Sequence, residues 1–130
     1  MEKLKTFTIQ KKKIPYKIDL FVLEQLQNDY WNIWDFEREL KGLKIKTDDK
    51  GEIVYQDGSP VLERVHFSFK ALNTILPLMV NEGLEIDADQ KRKEFTPVDD
   101  KEFIRTIDVN PYELQRLVVE EFDRCFDIKK

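Results

Sequence analysis

The sequence predicts an α+β fold, mainly helical, with an N-terminal β-hairpin and an inserted short β-hairpin packed on about five helices. Three observations predict it. Two loosely alternating runs open the chain, residues 4–10 (LKTFTIQ) and 14–18 (IPYKI), with a lysine run between them. Five later stretches each follow a capping residue with apolar positions three and four apart. Between the second and third of these, residues 43–67 turn to Gly-containing turn signals and β-branched residues. A chain of 130 residues with this order is predicted to be one domain, 1–130, with the hairpin at 4–18, a variable insert at about 43–67 and the C-terminal helices at 96–127.

The first run places Phe7 and Ile9 on one side, and the second places Ile14, Tyr16 and Ile18 there. Pro15 cannot donate to a strand ladder, so the second strand is expected at an edge. Asp19 then reads as an N-cap, with Ile18 and Leu23 as a hydrophobic staple across it. The helix it starts is expected to reach about Tyr30, with Leu20, Val22, Leu23 and Leu26 as its apolar face. Asn32 caps a second helix, which carries Ile33, Phe36 and Leu40 and stops at Gly42. In the insert, turns at 49–51 and 57–60 separate the segments IVY and VLERVHF.

Ser68 is the expected cap of the third helix. Phe69, Leu72, Ile75 or Leu76, Met79 and Val80 form its stripe, and Gly83 is its expected stop. Pro77 removes one backbone donor, and a kink there would cost about 3 kcal/mol if uncompensated. Residues 84–95 read as a polar connector. Thr96-Pro97 is expected to open a short fourth helix that buries Phe103, Ile104 and Ile107. Asn110-Pro111 opens the last one, with Leu114, Leu117, Val118, Phe122 and Cys125 or Phe126 along its apolar side.

Charge sits unevenly on this chain. The net charge is −4, yet residues 1–18 carry six lysines against Glu2 alone, while residues 82–130 carry fourteen acids against nine bases. A basic beginning and an acidic end suit head-to-tail contact with a copy of the chain or with an oppositely patterned partner. The single cysteine excludes an internal disulfide and points to a cytosolic chain. No secretory signal is expected, because the first apolar residues are isolated between lysines. The longest apolar run, residues 75–80, falls far short of the roughly 20 needed to cross a bilayer, so no membrane association is expected.

Catalytic and metal constellations are missing from the sequence. His66 is the only histidine and lies between Val65 and Phe67, where it reads as a structural strand residue. Cys125 lies among apolar helix positions and reads as core. Together they fall short of the four ligands of a structural zinc site. The adjacent acid pairs Asp48-Asp49, Asp99-Asp100 and Glu120-Glu121 point apart on any helix or strand. The four glycines form no phosphate loop. The expectation is a non-enzymatic protein without cofactor. Lys11, Lys12 and Lys13 can touch phosphates but cannot read bases, so a nucleic-acid-binding regulatory protein is the alternative reading. Of the aromatic cluster Tyr30, Trp31, Trp34 and Phe36, Trp34 is expected in the core, and Trp31 fits either core or interface.

The order of elements resembles a known family. A basic hairpin leads into IPYKIDLFVLEQLQNDY, then WDFERELKGL, FKALNTILPLMVNEG and FTPVDDKEFIRTIDVNPYELQRLVVEEF. In this it is similar to the tail assembly chaperones of long-tailed bacteriophages and prophages. The features that carry the resemblance are Leu23 and Leu26, residues 72–83, residues 96–107 and residues 111–126. They are apolar patterns with a few fixed small residues, spread over nearly the whole chain. The resemblance implies a protein that binds the helical, apolar tape measure protein and keeps it soluble while the tail tube polymerises. It also implies a location in the bacterial host cytoplasm and absence from the mature virion. A frameshifted long form would recruit the tail tube protein, and this chain would be the short form, with residues 128–130 at the frameshift point.

A client of that kind needs apolar surface, and the sequence offers it on two helices. Leu76, Met79 and Val80 are either core or a surface offered to another helix. Phe122 and Phe126, with Trp31, complete the expected partner-binding set, and Lys11, Lys12 and Lys13 are the charged contact candidates. Self-association is expected as well.

Overall fold

The computed structural model describes residues 3–127. In chain order the elements are β1 (Lys5–Ile9), β2 (Lys12–Tyr16), α1 (Leu20–Leu26), α2 (Ile33–Lys41), β3 (Leu43–Ile45), β4 (Tyr55–Gln56), β5 (Ser59–Pro60), β6 (Leu62–Arg64), α3 (Phe69–Gln90), α4 (Asp100–Thr106) and α5 (Pro111–Phe126). The fold is the expected helix-rich α+β arrangement. The strands form three antiparallel pairs, β1–β2, β3–β6 and β4–β5.

The hairpin turns one residue earlier than the lysine run suggests. Gln10 and Lys11 both take positive φ (50° and 65°), the two-residue geometry that matches the twist of the flanking strands. Lys12 and Lys13 therefore belong to β2. The register Phe7↔Ile14 and Ile9↔Lys12 directs Phe7, Ile9 and Tyr16 inward, and the Phe7 and Tyr16 rings meet edge-on at 5.4 Å. At the tip, the Gln10 N–H donates to both carboxylate oxygens of Asp108 at 3.2 Å, and its side-chain amide donates to the Thr106 carbonyl at 3.1 Å.

Helix α3 is the hub, in contact with β2, α1, α2, α4 and α5. Ala71, Ile75, Leu76, Met79 and Val80 are fully buried along it. Ile18, Val22, Leu26, Phe36, Leu40, Val118 and Phe122 close over them from the other elements. The expectation that Leu76, Met79, Val80 and Phe122 present a partner surface is thereby corrected. A small domain needs its most apolar helix in the middle, and all four are 1% exposed or less.

Gly83 does not end α3, which continues for another two turns. The apolar spacing runs on through Leu84 and Ala88, so the expected connector begins as helix, and Asp87 and Asp89 are helical residues. What Gly83 does is admit the hairpin. A Cβ built there would lie 2.6 Å from the carbonyl carbon and oxygen of Pro15 and from Cα of Tyr16. The same crossing lets the Lys17 N–H donate to the Met79 carbonyl at 3.0 Å.

Gly42 ends α2 as expected, in the left-handed conformation (φ 76°), with a Cβ there meeting the Val65 carbonyl oxygen at 2.5 Å. Helix α1 is shorter than expected and gives way to turns after Leu26. Helix α4 begins at Asp100, not at Pro97. The Asp99 carboxylate accepts from the N–H groups of Lys101 and Glu102 (3.1 Å each), while Asn81 ties down the Val98 backbone before it (2.7 and 3.4 Å). The insert is two nested hairpins. β3 pairs with β6, and inside them β4 and β5 turn through Asp57 and Gly58, both at positive φ.

Candidate partner-binding surface

Among the described residues the most exposed large apolar side chains lie around α1 and the start of α2. The cause is in the caps. The Asp19 carboxylate accepts from the N–H groups of Phe21 and Val22 (3.1 and 3.2 Å), which fixes the phase of α1. With Val22 and Leu26 inward, Leu20 and Phe21 are left outward, 80% and 68% exposed. Sequence reasoning put Leu20 on the buried face, but a seven-residue helix buries only a narrow stripe.

The Asn32 side chain likewise accepts from the N–H groups of Trp34 and Asp35 (2.9 and 3.4 Å). That phase sends Phe36 and Leu40 into the core and leaves Trp34 outside. Trp31, ahead of the cap, is 88% exposed and Trp34 is 74% exposed. The expectation of Trp34 in the core is therefore corrected, and Trp31 resolves as surface. Gln27, Trp31, Asn32, Ile33 and Trp34 line a shallow cleft of about 280 Å³. Tyr30, by contrast, is buried, edge-on to Phe36 at 5.1 Å, with its hydroxyl donating to Glu39 at 3.3 Å. Burial and the nearby Glu39 charge push its phenol up to about 12.

The remaining expected contact residues are dispersed. Phe126 is 54% exposed at the end of α5 and packs on Phe122 with ring centres 5.0 Å apart. Lys11, Lys12 and Lys13 are exposed at the hairpin tip, on a different part of the molecule from the tryptophans, and among the described residues none of the three forms an ion pair. Residues 128–130, the expected frameshift point, lie outside the described residues.

One charged cluster escaped the sequence reading. Glu121 is 2% exposed. It accepts from the Ile18 N–H at 2.8 Å and from Arg124 through both carboxylate oxygens at 2.8 Å, and Lys5 lies 3.4 Å away. Arg124 also donates to the Ile18 carbonyl at 2.6 Å. Burial pushes the Glu121 carboxyl up, but the Arg124 hydrogen bonds, the Ile18 N–H and the charges of Arg124 and Lys5 outweigh it, and the net direction is down. The cluster pins α5 to the hairpin–α1 junction. Its only local signal was the Glu–Arg spacing of three on a helix.

His66 lies just past β6, stacked on Phe67 at 4.5 Å. Its Nδ1 lies 2.6 Å from the Phe67 carbonyl oxygen, and its Nε2 3.3 Å from the Tyr112 hydroxyl. An Nδ1–H donor and an Nε2 acceptor satisfy both contacts, so both ring nitrogens are engaged. Burial pushes the Cys125 thiol up, away from the reactive thiolate. Among the described residues no group of three or more His, Cys, Asp or Glu side chains is placed to hold a metal ion. No helix among them is long and apolar enough to cross a membrane. Comparisons with protein-family models, curated proteins and solved structures found no match to this chain.

Proposed function

We propose that this chain is a phage or prophage tail assembly chaperone, which binds the tape measure protein and keeps it soluble during tail tube assembly. The observation that carries the proposal is the exposure of Trp31 and Trp34 beside a shallow cleft on a small protein with a complete core. Tryptophans are the residues most often found at binding hot spots, and a helical client with an apolar stripe is the partner such a cleft accepts. The order of elements supports the reading, since it resembles that family over nearly the whole chain.

The protein acts by reversible binding in the host cytoplasm, is not an enzyme, takes no cofactor and does not enter the mature virion. It self-associates, and a frameshifted long form recruits the tail tube protein. A nucleic-acid role has weaker support: three lysines at one hairpin tip reach few phosphates, and the chain is net negative.

Co-expression with the tape measure protein of the same genome, followed by pull-down, tests the proposal. Wild type is expected to retain the client in the soluble fraction. Replacing Trp31 and Trp34 together by alanine is expected to weaken binding at least about 30-fold, since each side chain at such a centre is worth 1–2 kcal/mol or more. The melting temperature is expected to stay within about 2 °C. A client that stays insoluble beside wild type, or one that binds the double variant equally well, overturns the proposal.

A further inference from the structure

A second groove, of about 430 Å³, lies between α1 and α3. Phe21 and Ile86 supply its apolar lining. Glu82, Glu85 and Asp89, spaced three and four apart on α3, make it acidic, and the Asp19 carboxylate is close enough to Glu82 to perturb it. We infer that this groove is the docking site for the lysine-bearing β1–β2 hairpin of a second copy of the chain. The inference deepens the self-association part of the proposed function and leaves client binding through the tryptophans untouched.

Three observations point to that occupant. First, the charges are complementary, with an acidic row that Lys17 offsets only in part on one copy and Lys11, Lys12 and Lys13 on the other. Lys12 borders the cleft that holds Asp99 and Glu102, and Lys13 the one that holds Asp87, yet neither ion-pairs there among the described residues. Second, the hairpin cannot reach its own groove. It crosses α3 at Gly83, and Lys13 shares a cleft with Asp87, Gln90 and Lys91. Glu82, Glu85 and Asp89 lie on a different face of α3 from the one Lys13 borders, so Lys11, Lys12 and Lys13 of one molecule are set to meet the acidic row of another. Third, the hairpin tip is held in place by the Gln10 bonds to Asp108 and Thr106, so little freedom is lost when it docks.

The groove also suits a lysine. The four-carbon stem can lie over Phe21 and Ile86 while the ammonium reaches the rim. The negative field is already felt within the groove. The hydrogen bond with Asp19, then burial, then the charges of Asp19 and Glu85 push the Glu82 carboxyl up to about 7, with Lys17 only partly opposing them. A cation arriving at the rim relieves that repulsion. Because hairpin and groove lie at different places on the chain, the contact is head-to-tail and extends from copy to copy.

Sedimentation velocity of the full chain across a concentration series, at low and high salt, tests the inference with two variants. One carries Lys11→Glu, Lys12→Glu and Lys13→Glu; the other carries Glu85→Lys and Asp89→Lys. All five side chains are exposed, and circular dichroism checks that both variants fold. Lys→Gln and Glu85→Gln/Asp89→Asn versions serve if either does not. Wild type is expected to associate at low salt, with affinity falling at least about tenfold between 0.05 and 0.5 M salt as the ion pairs are screened. Each variant alone is expected to be monomeric. Mixed together the two charge-reversed variants are expected to associate again, as alternating head-to-tail species, because the hairpin of each complements the groove of the other. Wild type that stays monomeric at low salt overturns the inference, as does association that survives either variant. If the groove variant loses the tape measure client instead, the groove belongs to the client, and this inference fails while the proposed function stands. Loss of client binding by the tryptophan variant alone leaves the self-docking intact.

Discussion

Replacing Gly83 by alanine sets two physical expectations against each other. In an exposed helix interior, Gly→Ala stabilises by about 1 kcal/mol, because alanine fixes backbone freedom that glycine retains. In this chain the new methyl would lie 2.6 Å from three backbone atoms of Pro15 and Tyr16. Carbon atoms in contact settle near 3.5 Å, so the hairpin must retreat by roughly 0.9 Å. It cannot do so freely, because the Lys17 N–H bonds the Met79 carbonyl at 3.0 Å across the same junction, and Ile18 and Tyr16 are buried on either side. Losing that hydrogen bond costs about 1 kcal/mol, and overpacking a tight backbone contact costs about 1–3 kcal/mol. After subtracting the propensity gain, the net destabilisation is about 1–3 kcal/mol, a fall in melting temperature of about 4–12 °C for a domain of this size. Thermal and urea unfolding monitored by far-ultraviolet circular dichroism measure it. A variant as stable as wild type, or more so, refutes the crossing of hairpin and α3 at Gly83.

Two further outcomes follow from the same core. Met79→Asp places an unpaired charge at the centre of the domain and is expected to abolish cooperative folding, whereas Met79→Ala should cost about 2–5 kcal/mol in urea unfolding; a folded, fully stable Met79→Asp protein would place that residue on the surface. The two perturbed carboxyls act on pH stability with opposite sign. Glu82 is raised to about 7 in the folded chain, so folded protein binds the extra proton between about 4.5 and 7, and its contribution to stability falls as pH rises through that window. Glu121 is lowered, so its contribution is present above about 4.5 and is lost as the pH falls below that. Urea midpoints from pH 4 to 8 are expected to decline less steeply above pH 4.5 in Glu82→Gln than in wild type, and parallel curves would remove Glu82 from the account.

What the sequence made legible was local. Asp19, Ser68 and Asn110 cap α1, α3 and α5, and Asn32 caps α2, because a cap is a bond between a side chain and an N–H two or three residues on. Gly42 was readable for the same reason, since its left-handed conformation closes the helix it follows. Gly83 looked alike and was not. It answers a strand nearly seventy residues earlier in the chain, and no pattern in the residues beside it carries that information. Trp34 was misplaced because aromatic character suits core and surface equally, and only the phase set by the Asn32 cap decides between them. Glu121 stayed hidden beside Glu120 because its partners, Ile18 and Lys5, come from the other end of the chain. The apolar stripe of α3 was legible as a stripe. Whether it was core or interface depended on how many other elements close over it.

That closure is what gives the surface around α1 its meaning. With Leu76, Met79 and Val80 at 0% exposure, the middle of the hub helix is closed over, and the domain's own core is complete without Trp31, Trp34, Leu20 or Phe21. Apolar side chains that a core does not use are ordinary when scattered, and two tryptophans around one cleft are not scattered. The seven residues of α1 divide the surface further: its Gln27 end borders the tryptophan cleft, while Phe21 and Gln25 border the acidic groove. α1 itself is fixed between them by Val22 and Leu26 in the core and by the Asp19 cap at its start. A helix held that firmly does not relay an occupant on one side to the other. The two proposed sites, one for an apolar helix and one for lysines, are therefore expected to act independently, on a scaffold that neither has to deform.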